Sequence, residues 1–255
     1  MDERFVRSAM LLGKENIERL RMVKVAVFGI GGVGSFVCEA LARCGVGNFV
    51  LVDNDTVDIT NINRQLIALK STLGKSKVDV MEDRIKDIYE FAAVTKYKCF
   101  YLSDTADEID LAGCDYIVDA VDTVSAKIEI VMRAEKLGIP VISSMGMGSR
   151  LNPSKIEVAD IKKTHTCPLA KAVRKGLRDR GIEKLKAVYS TEHPVRCSEI
   201  RCGENEKYMK YNSGNDAEVP KRHMPQGSVS FVPSTAGLII AGEVINSMIV
   251  RQQLK

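Results

Sequence analysis

The chain of 255 residues has no tryptophan, three histidines and few aromatics of any kind (5%). His165, His193 and His223 lie too far apart for a histidine metal motif, and the seven cysteines include no Cys-x-x-Cys pair. Cys167, Cys197 and Cys202 could supply part of a zinc site, but without such a pair no structural zinc is expected. The odd, scattered cysteines also exclude a disulfide framework, and "MDERFVRSAM" is charged from its second residue, unlike a signal peptide. These features predict a cytoplasmic protein with reduced thiols. No uninterrupted apolar run approaches the ~20 residues that a bilayer requires. The nearest candidate, "SVSFVPSTAGLIIAGEVINSMIV", is broken by Pro233 and Glu243. It reads as a buried strand, Val229 to Val232, then a helix capped near Ser234 or Thr235, so no membrane partner is expected. Internal repeats and low-complexity tracts are absent as well.

What is present is an ordinary globular composition, 45% hydrophobic and 27% charged, with a net charge of +4 that means little until the charges are placed. Residues 3 to 22 form an amphipathic helix or a helix pair broken near Gly13. "VKVAVFG" is a β-branched strand ending in glycine. A helix follows from Ser35 to Cys44, then the strand "NFVLVD", a helix from Lys75 to Phe91 and a strand from Val94 to Phe100. The strand "YIVDAVD", a helix from Ser125 to Leu137 stopped by Gly138, and the strand "PVISSMG" continue the alternation. Strands alternating with helices of this length predict an α/β fold with a doubly wound, mostly parallel, Rossmann-like sheet. After Gly148 the rhythm changes to a strand pair in "SRLNPSKIEVADIKKT", a basic helix over 168–182 and a polar loop over 198–227. One domain over 1–255 is expected: a nucleotide-binding core, 3–150, and a C-terminal elaboration, 151–255, that closes the sheet and binds substrate.

"GIGGVGS" places Gly29, Gly31, Gly32 and Gly34 between the first strand and a helix. Glycines let the backbone approach a phosphate closely, and the helix start offers free N–H groups at a positive dipole end. Asp53 ends the next strand, placed to accept from ribose hydroxyls. A dehydrogenase would show the same signature. It would not need the stretch "VDNDTVDITNINRQ", whose acids, Asn61, Arg64 and Gln65 crowd behind that aspartate. A site that splits ATP does: cations must neutralise the leaving polyphosphate, and a carboxylate must hold magnesium. "GKSKVD" adds Lys75 and Lys77 at a helix start, and "VDAVDT" adds Asp119 and Asp122 at a strand end, where ligands of parallel sheets bind.

Together "GIGGVGS", "VDNDTVDITNINRQ", "GKSKV" and "DAVDT" resemble the adenylation core of the ubiquitin-activating-enzyme-like superfamily, over residues 3 to about 150. The resemblance implies ATP and Mg2+ as ligands, Asp53 at the ribose, and Asn61, Arg64 and Lys77 on the triphosphate. It implies Asp122 as the magnesium ligand, with Asp55 a neighbour of the site. "RFVRSAMLLG" is similar to an N-terminal motif whose second arginine, here Arg7, reaches across a homodimer into the partner's ATP site. "DAVDT" departs from the more usual Asp-x-x-Asp-Asn. The segments "DIKKTHTCPLAKAVRKGLRDRGI", "AVYSTEHP" and "GSVSFVPSTAGLIIAGEVI" carry the resemblance further, to the tRNA threonylcarbamoyladenosine dehydratases. Such enzymes activate the carboxylate of the modified nucleoside as an acyl adenylate, and the carbamoyl nitrogen then closes a ring with net loss of water. The resemblance implies a tRNA partner carrying threonylcarbamoyladenosine; a sulfur-relay protein stays open as a second partner.

Lys171, Arg174, Lys175 and Arg178 recur at i, i+3, i+4 and i+7, one face of a helix, opposite Leu169, Val173 and Leu177. Such a basic stripe suits RNA phosphates, or is simply a solvated face. Cys167 reads as a bystander, since a ring closure whose nucleophile is already held beside the carbonyl needs no thiol. The rival readings are an adenylating enzyme for a small sulfur-carrier protein, a nicotinamide-dependent oxidoreductase, and an ATP-sensing scaffold. Missing zinc cysteines argue against the first, and Arg64, Lys77 and Asp122 together against the second.

Overall fold

The computed structural model describes residues 2–195 and 227–250. The loop expected over 198–227 therefore lies outside the described residues except for Gly227, as do Cys197, Cys202 and His223. The chain opens with two short helices, α1 (Val6–Leu12) and α2 (Lys14–Leu20), broken at Gly13 as the sequence suggests. Then follow β1 (Lys24–Phe28), α3 (Gly34–Arg43), β2 (Asn48–Val52), α4 (Lys77–Ile88), β3 (Ala93–Tyr97), β4 (Tyr116–Asp119), α5 (Val124–Leu137) and β5 (Val141–Ser144). The later elements are β6 (Ile156–Asp160), α6 (Pro168–Arg178), β7 (Lys186–Ser190) and α7 (Phe231–Val250).

The seven strands among the described residues form one sheet in the order β3-β2-β1-β4-β5-β7-β6, parallel except for β6 at the edge. Alternation in β1 sends Val25 and Val27 to a core shared with α3, α4 and α7. Ala26 and Phe28 face the other layer, with Ala126 and Ile130 of α5. Both faces are thus covered, as a parallel sheet requires.

Several expectations are corrected. The strand pair expected in "SRLNPSKIEVADIKKT" is a single strand, β6, whose antiparallel partner is β7, further along the chain; Val158 pairs with Val188. The segment Val229 to Val232 is not a strand, because α7 begins at Phe231. Ser234 and Thr235 are therefore not caps but lie in its first turn, where the Thr235 hydroxyl donates to the Phe231 carbonyl at 2.7 Å. Proline is tolerated there, since the first turn has no N–H partner to lose, and Pro233 leaves α7 unbroken. Phe231–Ile249 is consequently long and apolar enough to cross a membrane. In this fold its apolar side packs against α3, β5 and β7. Val232, Ala236, Ile240 and Val244 are fully buried, and Glu243, which breaks the apolar pattern, meets Lys186 at 3.0 Å. The expected α4 is shorter by two residues at its start and three at its end, and α6 by four at its end alone, as fraying ends commonly are.

Candidate nucleotide site

The order of strands reverses at β1, which lies between β2 and β4, so a crevice opens at the carboxyl ends of these three strands. The glycine loop sits in it. Gly29 donates to the Val52 carbonyl at 2.8 Å and has φ +85. A Cβ there would lie 2.7 Å from the Ala120 carbonyl oxygen. At Gly34 a Cβ would lie 1.8 Å from the Gly29 carbonyl oxygen, so the loop is folded onto itself with no room for a side chain. The N–H groups of Gly31, Gly32 and Val33 have no acceptor among the described residues. They precede the start of α3, the arrangement that binds an anion. The buried Ser35 hydroxyl donates to the Gly31 carbonyl at 2.6 Å and accepts from Leu66 N–H at 3.3 Å, tying the loop to the polar stretch after β2.

Asp53 directly follows β2 and accepts from Ile30 N–H at 2.6 Å and from Asp55 N–H at 2.8 Å. Burial pushes its carboxyl above the usual value, while Lys77 and the two N–H donors pull the other way. Lys77, at the start of α4 and 5% exposed, reaches Asp55 at 2.7 Å. Its position is set by the backbone: Lys77 N–H donates to the Asp55 carbonyl at 3.0 Å, and Thr56 pairs with Ser76. Asn61 is buried, its side-chain oxygen accepting from Asp58 N–H at 3.2 Å to close a short turn. Arg64 packs by the place a Gly32 Cβ would occupy, its Cγ 3.5 Å away. Its guanidinium donates to the Thr60 carbonyl and the Asn63 side-chain oxygen, both at 3.0 Å, with no carboxylate partner among the described residues. Asp122 follows β4 with an exposed carboxylate whose contact is the Thr123 hydroxyl at 3.4 Å.

The fold thus brings Gly29, Gly31, Gly32, Gly34, Asp53, Asp55, Asn61, Arg64 and Lys77 to one edge of the sheet, with Asp122 on the adjoining turn. Arg7 stands apart, exposed on α1, a helix that buries none of its residues. Beside it Met10 is 77% and Leu11 90% exposed.

The basic helix needs a correction. Lys171, Lys175 and Arg178 are exposed on α6, but Arg174 turns back onto its own loop. Its guanidinium donates to the Thr164 hydroxyl at 2.8 Å and to the carbonyls of Thr164 and Ile161 at 2.9 and 3.2 Å. Cys167 is buried at the start of α6, its sulfur accepting from Ala170 N–H at 3.5 Å.

Sequence reasoning left three participants unassigned. Ser35 is concealed as an ordinary helix residue. Gln65, in the polar stretch, is buried beside Gly31, and its side-chain oxygen has no partner among the described residues. Lys127 is fully buried with Asp119, and its signal was a lysine on the apolar stripe Ala126, Ile130, Ala134. A cleft of about 510 Å³ lined by Val131, Ile139, Val158 and Leu185 opens at the sheet's opposite, amino edge and shares no residue with the site.

The family model described as ThiF family matches residues 5–254. This chain belongs to the ThiF family. Within it, the chain is 45% identical to the tRNA threonylcarbamoyladenosine dehydratase of Bacillus subtilis, over all of this chain and 98% of that one. A crystal structure of the E. coli tRNA N6-threonylcarbamoyladenosine dehydratase in complex with ATP superposes with a TM-score of 0.84 at 29% identity, covering 99% of this chain and 96% of that chain. The molybdopterin-synthase adenylyltransferase of Salmonella typhimurium is 32% identical, but over only 55% of this chain and 57% of its own. The doubly wound, Rossmann-like sheet expected from the sequence is the ThiF-family fold.

Proposed function

We propose that this ThiF-family protein dehydrates threonylcarbamoyladenosine in tRNA to its cyclic form at the expense of ATP. The observation that carries the reading is the extent of the similarity to a dehydratase, which runs through α6, β7 and α7. Similarity to the molybdopterin-synthase adenylyltransferase covers only 55% of the chain.

In this reading the phosphates lie over Gly29, Gly31, Gly32 and Gly34, whose loop has N–H groups without acceptors. Asp53 keeps lone pairs for the ribose hydroxyls. Arg64, which lacks a carboxylate partner, and Lys77, which would exchange Asp55 for phosphate oxygen, neutralise the triphosphate, with the Asn61 amide beside them. Asp122 suits Mg2+, which takes one or two carboxylates and completes its shell with phosphate oxygens and water. The ion would offset charge on the leaving pyrophosphate. The nucleoside's carboxylate oxygen attacks the α-phosphorus, the bond to the β-phosphate oxygen breaks, and pyrophosphate leaves. The carbamoyl nitrogen then attacks the acyl carbon, gives up its proton, and AMP departs with the former carboxylate oxygen. The net change is loss of water from the nucleoside. No step moves sulfur, so a sulfur-relay protein is not required.

The protein works as a homodimer in the cytoplasm. Met10 and Leu11 on α1, and Ile59, Ile62 and Leu69 beside the ATP site, are exposed apolar residues that a two-fold partner would cover reciprocally. Arg7, one turn before Met10 and Leu11 on the same helix, would then enter the partner's site. Lys171, Lys175 and Arg178 contact tRNA phosphates.

ATP–pyrophosphate exchange tests the reaction with three candidate substrates: tRNA bearing threonylcarbamoyladenosine, unmodified tRNA, and a Gly-Gly-tailed carrier protein. Exchange with the modified tRNA alone is expected. Exchange with the carrier protein alone would replace the assignment with the sulfur-carrier reading.

A further inference from the structure

Lys127 and Asp119 are both fully buried, one on α5 and one at the end of β4. The Lys127 ammonium lies 3.1 and 3.0 Å from the two Asp119 oxygens, 2.7 Å from the Ser144 carbonyl and 3.3 Å from the Ser143 hydroxyl. The Ser143 hydroxyl in turn donates to Asp119. Every lysine proton thus has an acceptor, yet such a buried pair adds little to stability. Apolar residues of similar volume in its place are often as stable or more so. The neighbours on α5, Ala126, Ile130 and Ala134, are apolar and buried, so packing alone would favour an apolar residue at this position.

What the pair adds is direction. Asp119 Oδ1 accepts from Val121 N–H at 3.2 Å, which curls the chain just after β4. Lys127 N–H donates to the Thr123 carbonyl at 3.1 Å and starts α5. One residue therefore holds both ends of the turn 119–123, through its side chain at Asp119 and through its backbone at Thr123. Inside that turn lie Ala120, whose carbonyl borders Gly29, and Asp122, whose own contacts are too weak to fix it. Ala120 N–H also donates to the Phe28 carbonyl at 2.8 Å, so the turn and the glycine loop share a wall.

We infer that Lys127 is a positioning residue for the nucleotide site, acting through Asp119 and the 120–123 turn to fix the Asp122 carboxylate and the floor of the glycine loop. The inference rests on the assignment of Asp122 to magnesium and is independent of the tRNA substrate, so it is tested on ATP binding without tRNA. Asp122→Asn first checks the assignment itself: it should weaken Mg2+-dependent ATP binding far more than metal-free binding. Equal losses in both would remove the metal role of Asp122, while the dehydratase reading would still be judged by pyrophosphate exchange.

The decisive variant is the neutral pair Lys127→Met with Asp119→Asn, compared with Lys127→Met alone. The single change strands a buried carboxylate and should lower Tm; the double change should recover most of that loss. A purely structural pair would then regain wild-type binding. A positioning pair should not: the Mg2+ concentration for half-maximal ATP binding should stay about tenfold above wild type, the lower end of what support of a metal ligand is worth. Ser143→Ala, which removes one bond to Asp119 and leaves the charges paired, should move it the same way by about twofold to threefold, a smaller loss for one neutral hydrogen bond. Wild-type Mg2+ dependence in a folded double variant would overturn the inference. If the double variant does not fold, an unchanged Mg2+ dependence in Ser143→Ala would do so.

Discussion

The carboxyl ends of β1, β2 and β4 and the exposed side of α6 are both rich in charge, but they are built on opposite terms. At the sheet edge most of the polar side chains are tied down: Asp53 by two N–H groups, Asn61 by its own turn, Arg64 by the Thr60 carbonyl and Lys77 by the Asp55 carboxylate. On α6, Lys171, Lys175 and Arg178 project into solvent, and only Arg174 is held, by the loop that precedes its helix. A prearranged edge suits a small ligand whose reaction needs atoms within fractions of an ångström. Loose cations suit a polyanion that is bound by charge and counterion release.

The comparison is broken most severely at the edge. Gly34→Ala would drive a Cβ into backbone that cannot yield, since the Gly29 carbonyl oxygen is 1.8 Å from its place. The expected cost is about 3 kcal/mol, the upper end for overpacking, together with loss of ATP binding; thermal unfolding and an ATP titration measure both. Wild-type ATP affinity in this variant would mean that the phosphates do not lie on this loop.

Next in size is Arg7→Ala, which should abolish turnover without unfolding the chain, because α1 buries none of its side chains. Mixed with an inactive Arg64→Ala chain, it should recover up to about a quarter of wild-type activity. Random two-fold pairing puts half the chains in hybrids with one intact site each. No recovery in verified hybrids would place Arg7 outside the partner's site.

The smallest effect separates the cations of α6 from one another. Reversing Lys171, Lys175 and Arg178 to Glu should weaken tRNA binding and flatten its salt dependence by about 0.7–0.9 per lost phosphate contact, with ATP affinity unchanged. Arg174→Gln should instead lower stability by about 1–3 kcal/mol, the cost of charge-assisted hydrogen bonds to Thr164 and Ile161, and leave the salt slope alone. Filter binding over a salt series, alongside unfolding curves, distinguishes them. A flattened slope for Arg174→Gln would show that its guanidinium leaves the loop to meet RNA.

The two regions also differed in how much the sequence revealed. At the edge, "GIGGVGS" dictates its own backbone: glycines where a Cβ cannot fit, directly between a β-branched strand and a helix. Asp53 and the Asn61 turn are equally local, each bonded within a few residues or to the adjacent loop. In the later half, β7 is not legible in "KAVYS" alone, because the run is short and its partners, β5 and β6, are specified elsewhere in the chain. Val229 to Val232 passed for a strand because a short apolar run has no periodicity that distinguishes the two states. The helix was decided by packing against α3, where a Gly237 Cβ would lie 2.6 Å from the Val33 carbonyl oxygen.

By itself the sequence determined the alternating strands and helices, the glycine loop, and the acids and bases gathered around it, because each depends on backbone sterics and side-chain periodicity within short windows. The tertiary structure alone decided which charges are committed. Arg174 and Lys171 fall on the same basic face of a helical wheel, and the place of Lys127 on the apolar stripe of α5 does not say what it binds. A long side chain bonds to whatever the fold brings within its reach, and for Arg174 that is the Thr164 loop, for Lys127 the end of β4. Such acceptors arrive only when separate segments pack together.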